Sequence, residues 1–537
     1  MQTLFYGGDI VTMDHGAAAQ ALLTEDGRIL EIGDLRTASE KADGTCRRVE
    51  LGGAALLPAF IDAHSHFTQV AYSFLQVSLN GVRSLREMQA RISNFAQERA
   101  IAPGAWVTAW DFDPADMESG KTLSLADLDT LAPQHKLVIR HKSGHMGWFN
   151  STALEAFGVT TQTKAPDGGR IEIQDGAPTG YMEENAFFHY LKQMPPPDDA
   201  ALLQGYRRAQ DLYTTHGIAT VQEGMCTVEM LPAYRHLLSS DLLQLDLVVY
   251  TDLQSFDTTR TLIAQSGNPH CRVGGVKIFL DGSPQGRTAW MRAPYLGGGD
   301  PDYRGYGVMT DEQVYETFCF AAERHTQLLA HCNGDAACEQ FLRCLARAEE
   351  RFPTLKALRP VMIHAQFLGE DQIRKAAALG AVASFFIAHA YHWGDVHLQN
   401  LGKNRAENLS PAASALRAGL PFTFHQDAPV IAPDMLETLW CAVCRQTKSG
   451  VALGLHQTIS AKDALAAVTR TAAWQYGEEA QKGTLAPGKR ADLVILDRNP
   501  LCVPPQTLRT LQVLATYKDG EAIFAQGSAA CVPAFRR

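Results

Sequence analysis

The sequence contains no run of about 18 uncharged apolar residues, the length that a membrane-spanning helix needs. Its first residues, MQTLFYGGDIVTMDHG, lack the basic segment followed by an apolar one that marks a signal peptide. Basic runs are also missing and the formal net charge is −10, so nucleic acid is not expected as a partner. We therefore expect a soluble, cytoplasmic protein without a membrane partner.

Cysteine patterns typical of disulfide frameworks or cysteine-rich metal sites are scarce as well. The 11 cysteines are odd in number and scattered through apolar contexts, which favours reduced, buried thiols. One Cys-x-x-Cys motif, Cys441 to Cys444, has no second pair, and we interpret it as buried helix. The absence of a Gly-x-Gly-x-x-Gly turn argues against a doubly wound dinucleotide-binding sheet.

What the sequence does contain is a similar β pattern at its two ends. Residues 1–55 and 481–537 show short β runs separated by Asp-Gly, Pro-Gly and Gly. Asp26-Gly27, for example, lies between two alternating runs, a hairpin pattern. About fifty residues make a poor core alone. We therefore predict one small β-sandwich domain formed by both termini.

Between these ends, residues 56–480 alternate short apolar strands with longer stretches of helical apolar spacing. AALLPAFIDA, GIATVQEG and AVASFFIAH are three of eight candidate strands. Eight such strands with helices between them predict an α/β fold in which a parallel sheet closes into a (β/α)8 TIM barrel. A doubly wound open sheet is the alternative.

The first two candidate strands are separated by far more chain than one crossover helix requires. We interpret the excess, about residues 76–197, as an inserted α/β subdomain after strand 1. Insertions that follow barrel strands lie at the carboxyl face, where barrel active sites are found. We therefore expect this subdomain to shape a substrate pocket.

Two histidines end the first apolar strand of the predicted barrel, in FIDAHSHF. Because side chains alternate along a strand, His64 and His66 point the same way and can bind one metal ion. Taken alone, the pair is more often structural, one histidine capping the strand and the other solvated. Four later strands change this interpretation, because each is interrupted by one polar residue near its carboxyl end, namely Lys277, His331, His364 and Asp427.

With these residues at these positions, the chain resembles the amidohydrolase superfamily of metal-dependent hydrolases. The inserted segments SGHMGWFN and PTGYMEE further resemble its N-substituted formamide deformylase-like branch. The resemblance extends from Gly7 to about Phe524. It rests on the motifs FIDAHSHF, VKIFLDGS, AHCNGD, IHAQ, HQDAPV and KGTLAPGKRADLVILD.

The resemblance implies one or two divalent metal ions per subunit. His64, His66 and Asp427 would bind one ion, and His331 and His364 the other. Lys277 would bridge them as an N-carboxylated lysine, which agrees with the ease of deprotonating a desolvated amine. A plain Lys277 ammonium paired with Asp281 would favour a single metal. Imidazole and carboxylate ligands suit zinc best, although iron, manganese or nickel can occupy the same ligands.

The same resemblance implies hydrolysis of an amide-type C–N bond by metal-activated hydroxide. The substrate would be a small molecule, an N-formyl or N-acyl amine or a cyclic amide. Asp427 would be the catalytic general base and acid. A deaminase on the same fold is the alternative, but superfamily deaminases commonly use one metal and no bridging lysine. A non-catalytic binding or regulatory relic is the third, and such proteins tend to lose ligands.

Further polar and aromatic residues are weaker candidates. We expect Glu223, Asp281 and His425 to lie behind the ligands. His425 stands where the family pattern has a small residue and shares the strand face of Asp427, so it would crowd or join the site. Barrels with covered ends often pair, so a homodimer is also considered. Candidates for substrate contact are Trp110, His145, Asn150, Arg287, His389 and His392.

Overall fold

The computed structural model describes residues 1–14, 19–118, 122–141, 144, 146–195, 197–297 and 300–527. The described residues of 1–69 and 209–537 form one compact unit, and those of 70–208 form a second. The second unit covers the segment that the sequence predicted as an insertion over residues 76–197. The chain passes between the units within two helices, one near residue 70 and one near residue 208.

The chain begins with short strands whose buried and exposed residues alternate in part. At the first hairpin, Asp26 and Gly27 both adopt positive φ, 47° and 81°, as a tight turn between twisted strands requires. The elements up to residue 73 are β1 (Gln2–Ile10), β2 (Ala19–Glu25), β3 (Arg28–Gly33), α1 (Leu35–Lys41), β4 (Arg47–Glu50), β5 (Ala55–Pro58), β6 (Phe60–Ile61) and α2 (Phe67–Ser73).

The 70–208 unit has its own six-stranded sheet and apolar core, which includes Met88, Leu128 and Trp148. Its elements are β7 (Val77–Ser78), α3 (Leu85–Glu98), β8 (Trp106–Phe112), α4 (Leu125–Leu131), β9 (Lys136–His141), β10 (Met146–Phe149), α5 (Ser151–Ala156), β11 (Gly169–Gln174), β12 (Ala177–Glu184), α6 (Asn185–Leu191) and α7 (Asp199–Thr215), which ends beyond the unit. The sheet order is β11-β12-β10-β9-β8-β7.

From residue 218, strands alternate with helices as the apolar periodicity predicted. The elements are β13 (Ile218–Cys226), α8 (Leu231–Ser239), β14 (Asp246–Thr251), α9 (Phe256–Ser266), β15 (Cys271–Phe279), α10 (Asp311–Glu323), β16 (Gln327–Cys332), α11 (Asp335–Arg351), β17 (Val361–His364), α12 (Glu370–Ala378), β18 (Val382–Phe385), α13 (His389–His392), α14 (Gly394–Leu401), α15 (Lys403–Ala406), α16 (Ala412–Ala418), β19 (Phe422–Phe424), α17 (Met435–Cys444), α18 (Ala461–Ala467) and α19 (Arg470–Gln475).

After α19 the chain returns to β structure. Its last described elements are β20 (Leu493–Leu496), β21 (Val513–Lys518) and β22 (Glu521–Ala525). Short 3₁₀ helices lie at Pro114–Asp116, Val228–Met230, Pro353–Leu358, Leu455–Gln457 and Pro505–Thr510. Cys441 and Cys444 lie in α17 as free thiols.

Eight parallel strands form the central sheet, in the order β6-β13-β14-β15-β16-β17-β18-β19. This spatial order follows the chain without the reversal that defines a doubly wound sheet. The sheet curls, and the segments that follow its first and last strands meet, since the backbone N–H of His66 donates to the carbonyl of Ala428 at 2.8 Å. The structure therefore confirms an α/β fold with a curled parallel sheet, and it brings the carboxyl ends of the outer strands together.

The two ends of the chain build one mixed sheet in the order β22-β21-β20-β5-β1-β2-β3, with β4 beside β1. β5 and β20 join the two halves as antiparallel neighbours, Leu57 lying opposite Val494. Phe5, Leu56 and Tyr517 are among the buried residues of its core. The sequence predicted a β-sandwich from the same two segments. None of the described helices has the length and apolar character needed to cross a membrane.

Candidate metal centre

The six predicted ligands lie at the carboxyl end of the curled sheet, where parallel strands present side chains to a common site. His64 and His66 follow β6, and Asp427 follows β19. Lys277, His331 and His364 lie within the last three residues of β15, β16 and β17. The three residues are staggered between neighbouring strands, since His331 pairs with Phe279, two residues beyond Lys277, and His364 pairs with Cys332, one residue beyond His331.

Asp427 lies between the first two histidines. Its Oδ1 atom is 3.4 Å from Nε2 of His64 and 3.4 Å from Nε2 of His66. This oxygen is buried and has no hydrogen-bond partner among the described residues. A buried carboxylate oxygen is costly to leave without a partner. A cation bound next to the two imidazole nitrogens would supply that partner.

His331 and His364 face each other across neighbouring strands, with Nδ1 of His331 3.1 Å from Nε2 of His364. Lys277 is 1% exposed, and its Nζ lies 3.2 Å from Nε2 of His64. Lys277 makes no ion pair within 4.0 Å to any described carboxylate. The amine thus contacts the imidazole of His64 and is not in an ion pair with a described carboxylate.

These separations fit a divalent metal ion. Two ligand atoms at about 2.0–2.1 Å from one tetrahedral zinc ion are about 3.3 Å apart. The 3.4 Å and 3.1 Å distances between the ligand atoms match that value. Within the described part of the chain, the ligand atoms of His64, His364 and Asp427 also lie within 4.8 Å of one another. The residues present can therefore bind metal with little rearrangement.

The electrostatics of the site favour neutral imidazoles around an anionic carboxylate. Burial lowers the pKa of His64 and His364 well below the usual value, and that of His331 to about 4. Burial raises the pKa of Asp427, but His66, His364 and His64 together hold it well below its usual value. Neutral imidazole nitrogens and an ionised carboxylate are the protonation states that bind a metal ion.

His66 differs from the other three histidines. Burial lowers its pKa, but the carboxylates of Asp427 and Glu223 raise it to about 9. Glu223 Oε1 lies 3.8 Å from Nδ1 of His66, and its Oε2 accepts hydrogen bonds from the Thr68 amide and the Tyr234 hydroxyl. Two carboxylates on either side of one imidazole show that this part of the site attracts positive charge.

Burial lowers the pKa of Lys277 to about 8. A neutral amine is therefore accessible near physiological pH, and only a neutral amine is nucleophilic. The pairing with Asp281 that would keep Lys277 a plain ammonium is not formed. Asp281 instead accepts backbone N–H groups from Trp290, Asn333 and Gly334, at 2.8–2.9 Å.

Gln222 and Gly224, on either side of Glu223 in TVQEG, shape the space around the first two histidines. Oε1 of Gln222 lies 2.5 Å from Nδ1 of His64. A Cβ at position 224 would lie 2.7 Å from Cε1 of His64 and 2.9 Å from Cε1 of His66. Only glycine leaves room there for both imidazole rings.

His425 lies behind His364. It is fully buried, with Nε2 3.1 Å from Nδ1 of His364 and Nδ1 2.8 Å from Oγ of Ser384. On the other side of the pair, Nε2 of His331 lies 3.1 Å from the carbonyl of Gly282, to which Asn333 also donates. A continuous hydrogen-bonded row thus passes through the two facing ligands.

Backbone strain also occurs at the site. His364 and Asp427 have positive φ values of 71° and 54°, which are uncommon for residues other than glycine. Such conformations cost about 1–3 kcal/mol each and persist where the surrounding structure enforces them. The strained backbone at these two proposed ligands fits a site in which the direction of each side chain matters more than local backbone energy.

The candidates for substrate contact come from both units. In the 70–208 unit, Asn150 is buried and caps α5, its Oδ1 accepting from the amides of Ala153 and Leu137. Trp110 lies in β8, where its buried indole N–H has no partner among the described residues. His145 lies outside the described residues.

The remaining three candidates follow β15 and β18. Arg287 donates to the side chain of Asn400 and to the carbonyl of Gly297, both at 2.9 Å. His389 is buried with Nδ1 3.1 Å from Nε2 of His397, and His392 lies 2.8 Å from Glu437. All three residues thus use polar atoms in contacts with other residues of the protein.

Sequence reasoning missed several residues around the site. Gln222 and Ser384 are polar residues in strands whose neighbours are apolar, the same signal that identified the ligands. Phe279 is 38% exposed at the end of β15, with its ring centroid 5.2 Å from that of His331. An exposed phenylalanine beside a ligand offers apolar surface to a bound molecule.

Comparisons with known proteins extend over nearly the whole chain. A sequence profile described as the amidohydrolase family matches residues 47–524. N-substituted formamide deformylase of Arthrobacter pascens is 27% identical, over 96% of this chain and 97% of its own. YtcJ of Bacillus subtilis is 26% identical, over 98% of this chain and 99% of its own. These matches confirm the resemblance derived from the motifs.

A solved structure has a similar fold. The crystal structure of a metal-dependent hydrolase from Pyrococcus horikoshii aligns with a TM-score of 0.78 at 22% identity. The alignment covers 94% of this chain and 99% of that one. At this identity the likeness concerns the fold alone.

Proposed function

We propose, from the membership of this chain in the amidohydrolase family, that it hydrolyses an N-formyl amine or a related amide with the help of bound metal. The chain is a hydrolase acting on carbon–nitrogen bonds other than peptide bonds. The observation that carries the proposal is Asp427 Oδ1, buried without a hydrogen bond and 3.4 Å from two imidazole nitrogens. The compound class is suggested by the deformylase relative.

His64, His66 and Asp427 would hold one ion, and His331 and His364 a second, in what we take to be a closed (β/α)8 barrel. The nitrogen and oxygen donors favour zinc. Lys277 would join the two groups after its neutral amine adds to carbon dioxide, forming a carbamate with loss of one proton. A carbamate offers two oxygens in place of an ammonium that cannot bind a cation.

When bound by these residues, the metal would act as a Lewis acid on the substrate carbonyl and would lower the pKa of water. Asp427 would carry the proton, because the pKa of its carboxyl is held well below the usual value and its oxygens lie 3.4–3.9 Å from His64, His66 and His364. We propose that a carboxylate oxygen of Asp427 takes the proton from the attacking water and returns it to the leaving amine nitrogen. Phe279 would contact an apolar part of the substrate.

A substrate panel tests the proposal. Protein dialysed against a chelator and then reloaded with zinc would be incubated with N-formyl amines, N-acyl amines, carbamates, lactams and cyclic amides. We expect release of a primary amine from at least one N-formyl or N-acyl compound. We also expect activity to disappear on chelation and to return with zinc.

Two outcomes would contradict the proposal. Release of ammonia from a ring or amidine carbon, without amide hydrolysis, would identify a deaminase on the same fold. Protein that retains no metal and gains no activity with added zinc would be a binding protein that has lost catalysis. Metal analysis of the purified chain separates this second outcome before any substrate is tried.

A further inference from the structure

His425 has both ring nitrogens in hydrogen bonds that point away from the ligand atoms. Nε2 lies 3.1 Å from Nδ1 of His364, and Nδ1 lies 2.8 Å from Oγ of Ser384. Because both ring nitrogens are used in this way, neither of them is directed at an ion bound by Nε2 of His364. His425 is therefore adjacent to the proposed metal centre without being one of its ligands.

The row of hydrogen bonds can run in two directions when no ion is bound. In one direction the Ser384 hydroxyl donates to His425, His425 to His364, and His364 to His331. In the opposite direction, His331 donates to His364, His364 to His425, and His425 to the Ser384 hydroxyl. Each imidazole carries one ring proton in either case, and the direction decides which nitrogen carries it.

A bound ion would interrupt the row between His331 and His364 and fix the direction of each part. Metal binding at Nδ1 of His331 and Nε2 of His364 requires a lone pair on both facing nitrogens. Nε2–H of His331 then donates to the Gly282 carbonyl, at 3.1 Å. Nδ1–H of His364 must likewise donate, and Nε2 of His425 is the acceptor in reach.

We propose that His425 is a positioning residue that fixes the ring proton of His364 on Nδ1 and thereby directs the Nε2 lone pair at the metal. Nδ1–H of His425 in turn donates to Ser384 Oγ, which keeps Nε2 of His425 an acceptor. The inference rests on the metal centre of the proposed function. It adds a residue that sets metal affinity through His364 and touches neither metal nor substrate.

The first two histidines contain the same kind of arrangement. Nδ1 of His64 lies 2.5 Å from Oε1 of Gln222, which leaves Nε2 of His64 facing Asp427 and Lys277. A glutamine therefore does for His64 what His425 does for His364. This parallel supplies the rescue variant, because a glutamine at position 425 places an amide oxygen where the imidazole Nε2 now accepts.

The rival explanation is that His425 only fills space. Its ring packs against Phe386 and His64, with centroid separations of 5.4 Å and 5.2 Å. A space-filling residue should be replaced equally well by glutamine or by methionine, which have similar length and volume. An acceptor for His364 can be replaced only by glutamine.

The test compares wild-type protein, His425→Gln and His425→Met by zinc affinity, measured in competition with a chelator, and by zinc content per chain. Loss of the partner of a metal-binding histidine typically weakens metal affinity about 10–100-fold. We expect a loss of that size in His425→Met for the more weakly held zinc, and a markedly smaller loss in His425→Gln. Thermal unfolding of the metal-free proteins checks that both variants fold.

Equal zinc affinity in His425→Met and wild-type protein would overturn the inference, as would equal losses in two folded variants. Wild-type protein that binds no zinc would overturn the proposed metal centre itself, so the two failures are distinguishable. If neither variant folds, Ser384→Ala replaces them, because it keeps the imidazole and removes only the acceptor of its Nδ1–H. We then expect weaker zinc binding, and unchanged binding would contradict the inference.

Discussion

Nδ1 of His64 lies 2.5 Å from Oε1 of Gln222, and the rest of the Gln222 amide fixes which atom donates. Its nitrogen donates to the Ala63 carbonyl and to the Tyr476 hydroxyl, each at 2.9 Å. Tyr476 in turn donates to the Asp62 carbonyl at 2.8 Å, so its oxygen is an acceptor. The Gln222 oxygen must therefore face His64, and Nδ1 of His64 carries the ring proton.

Gln222→Leu should weaken zinc binding because it removes the acceptor that orients His64. Loss of such a partner typically costs about 10–100-fold in metal affinity. The measurement is chelator competition on folded protein. Gln210→Leu is a matched control, because Gln210 is also buried but donates to Leu242 and accepts from Gln244. A loss of zinc affinity as large in Gln210→Leu would contradict the assigned role.

Lys277→Met and Lys277→Arg should each reduce bound zinc from two ions per chain to one. Neither side chain can form a carbamate, since methionine has no amine and the guanidinium of arginine stays protonated. Zinc analysis after gel filtration measures the ratio. Two zinc ions retained in both variants would show that Lys277 does not bridge.

The pKa of Lys277 also predicts how carbamate formation depends on pH. Burial lowers this pKa to about 8, and only the neutral amine adds to carbon dioxide. Carbamate in the zinc-free protein should therefore increase as pH rises through about 8 and disappear in acid. ¹³C nuclear magnetic resonance with labelled bicarbonate measures it, and Lys277→Met should lack the signal throughout. A lysine carbamate signal that is independent of pH would contradict the prediction.

Asp427→Asn should abolish most turnover while leaving the fold intact. Asparagine cannot take up the proton of the attacking water, and positioned acid–base groups typically contribute about 10²–10⁴-fold to rate. The rate constant kcat is measured on zinc-saturated protein to separate catalysis from metal loss. Asp434→Asn is the control, because Asp434 caps α17 through the Leu436 and Glu437 amides and asparagine caps helices equally well. Wild-type turnover in Asp427→Asn would exclude this role.

The sequence identified the polar residues at the strand ends because each interrupts an apolar strand, as Lys277 does in VKIF. It also predicted that the side chains of His64 and His66 point the same way, because the alternation of side chains along a strand depends only on neighbouring residues. It could not predict the contact between His64 and Gln222, which are 158 residues apart, or that between Ser384 and His425. Such contacts depend on sheet curl and register, which no local pattern encodes.

Asn150 carries a local signal of another kind besides its candidacy for substrate contact. In NSTAL it stands directly before α5, and its side chain accepts from the Ala153 amide. Asparagine before a helix is a common capping pattern. Asp281 is not paired with Lys277, because its carboxylate accepts three backbone N–H groups from two loops, but its Oδ1 lies 3.7 Å from Nε2 of His331.

Asp246, at the start of β14, is expected to dominate the acid sensitivity of the fold. It is buried beside Lys482 and lies 3.0 Å from Nδ1 of His270 and 3.5 Å from Nζ of Lys518. Burial raises the pKa of Asp246, but Lys482, His270 and Lys518 lower it by more. The pKa therefore lies below its usual value. Because the folded-state pKa is depressed, the stability it contributes is present above the unfolded pKa of about 3.9 and is lost as pH falls below it.

Asp246→Asn should therefore lower the free energy of unfolding at pH 7 by about 3–5 kcal/mol, the typical cost of leaving a buried charge without its partner. The difference from wild type should shrink as pH falls below about 4, where Asp246 of the unfolded chain is already protonated. Urea unfolding at several pH values measures both effects. Asp257→Asn is the control, because its pair with Arg260 is exposed and should contribute little. A difference that is unchanged from pH 7 to pH 3 would show that Asp246 does not carry this stability.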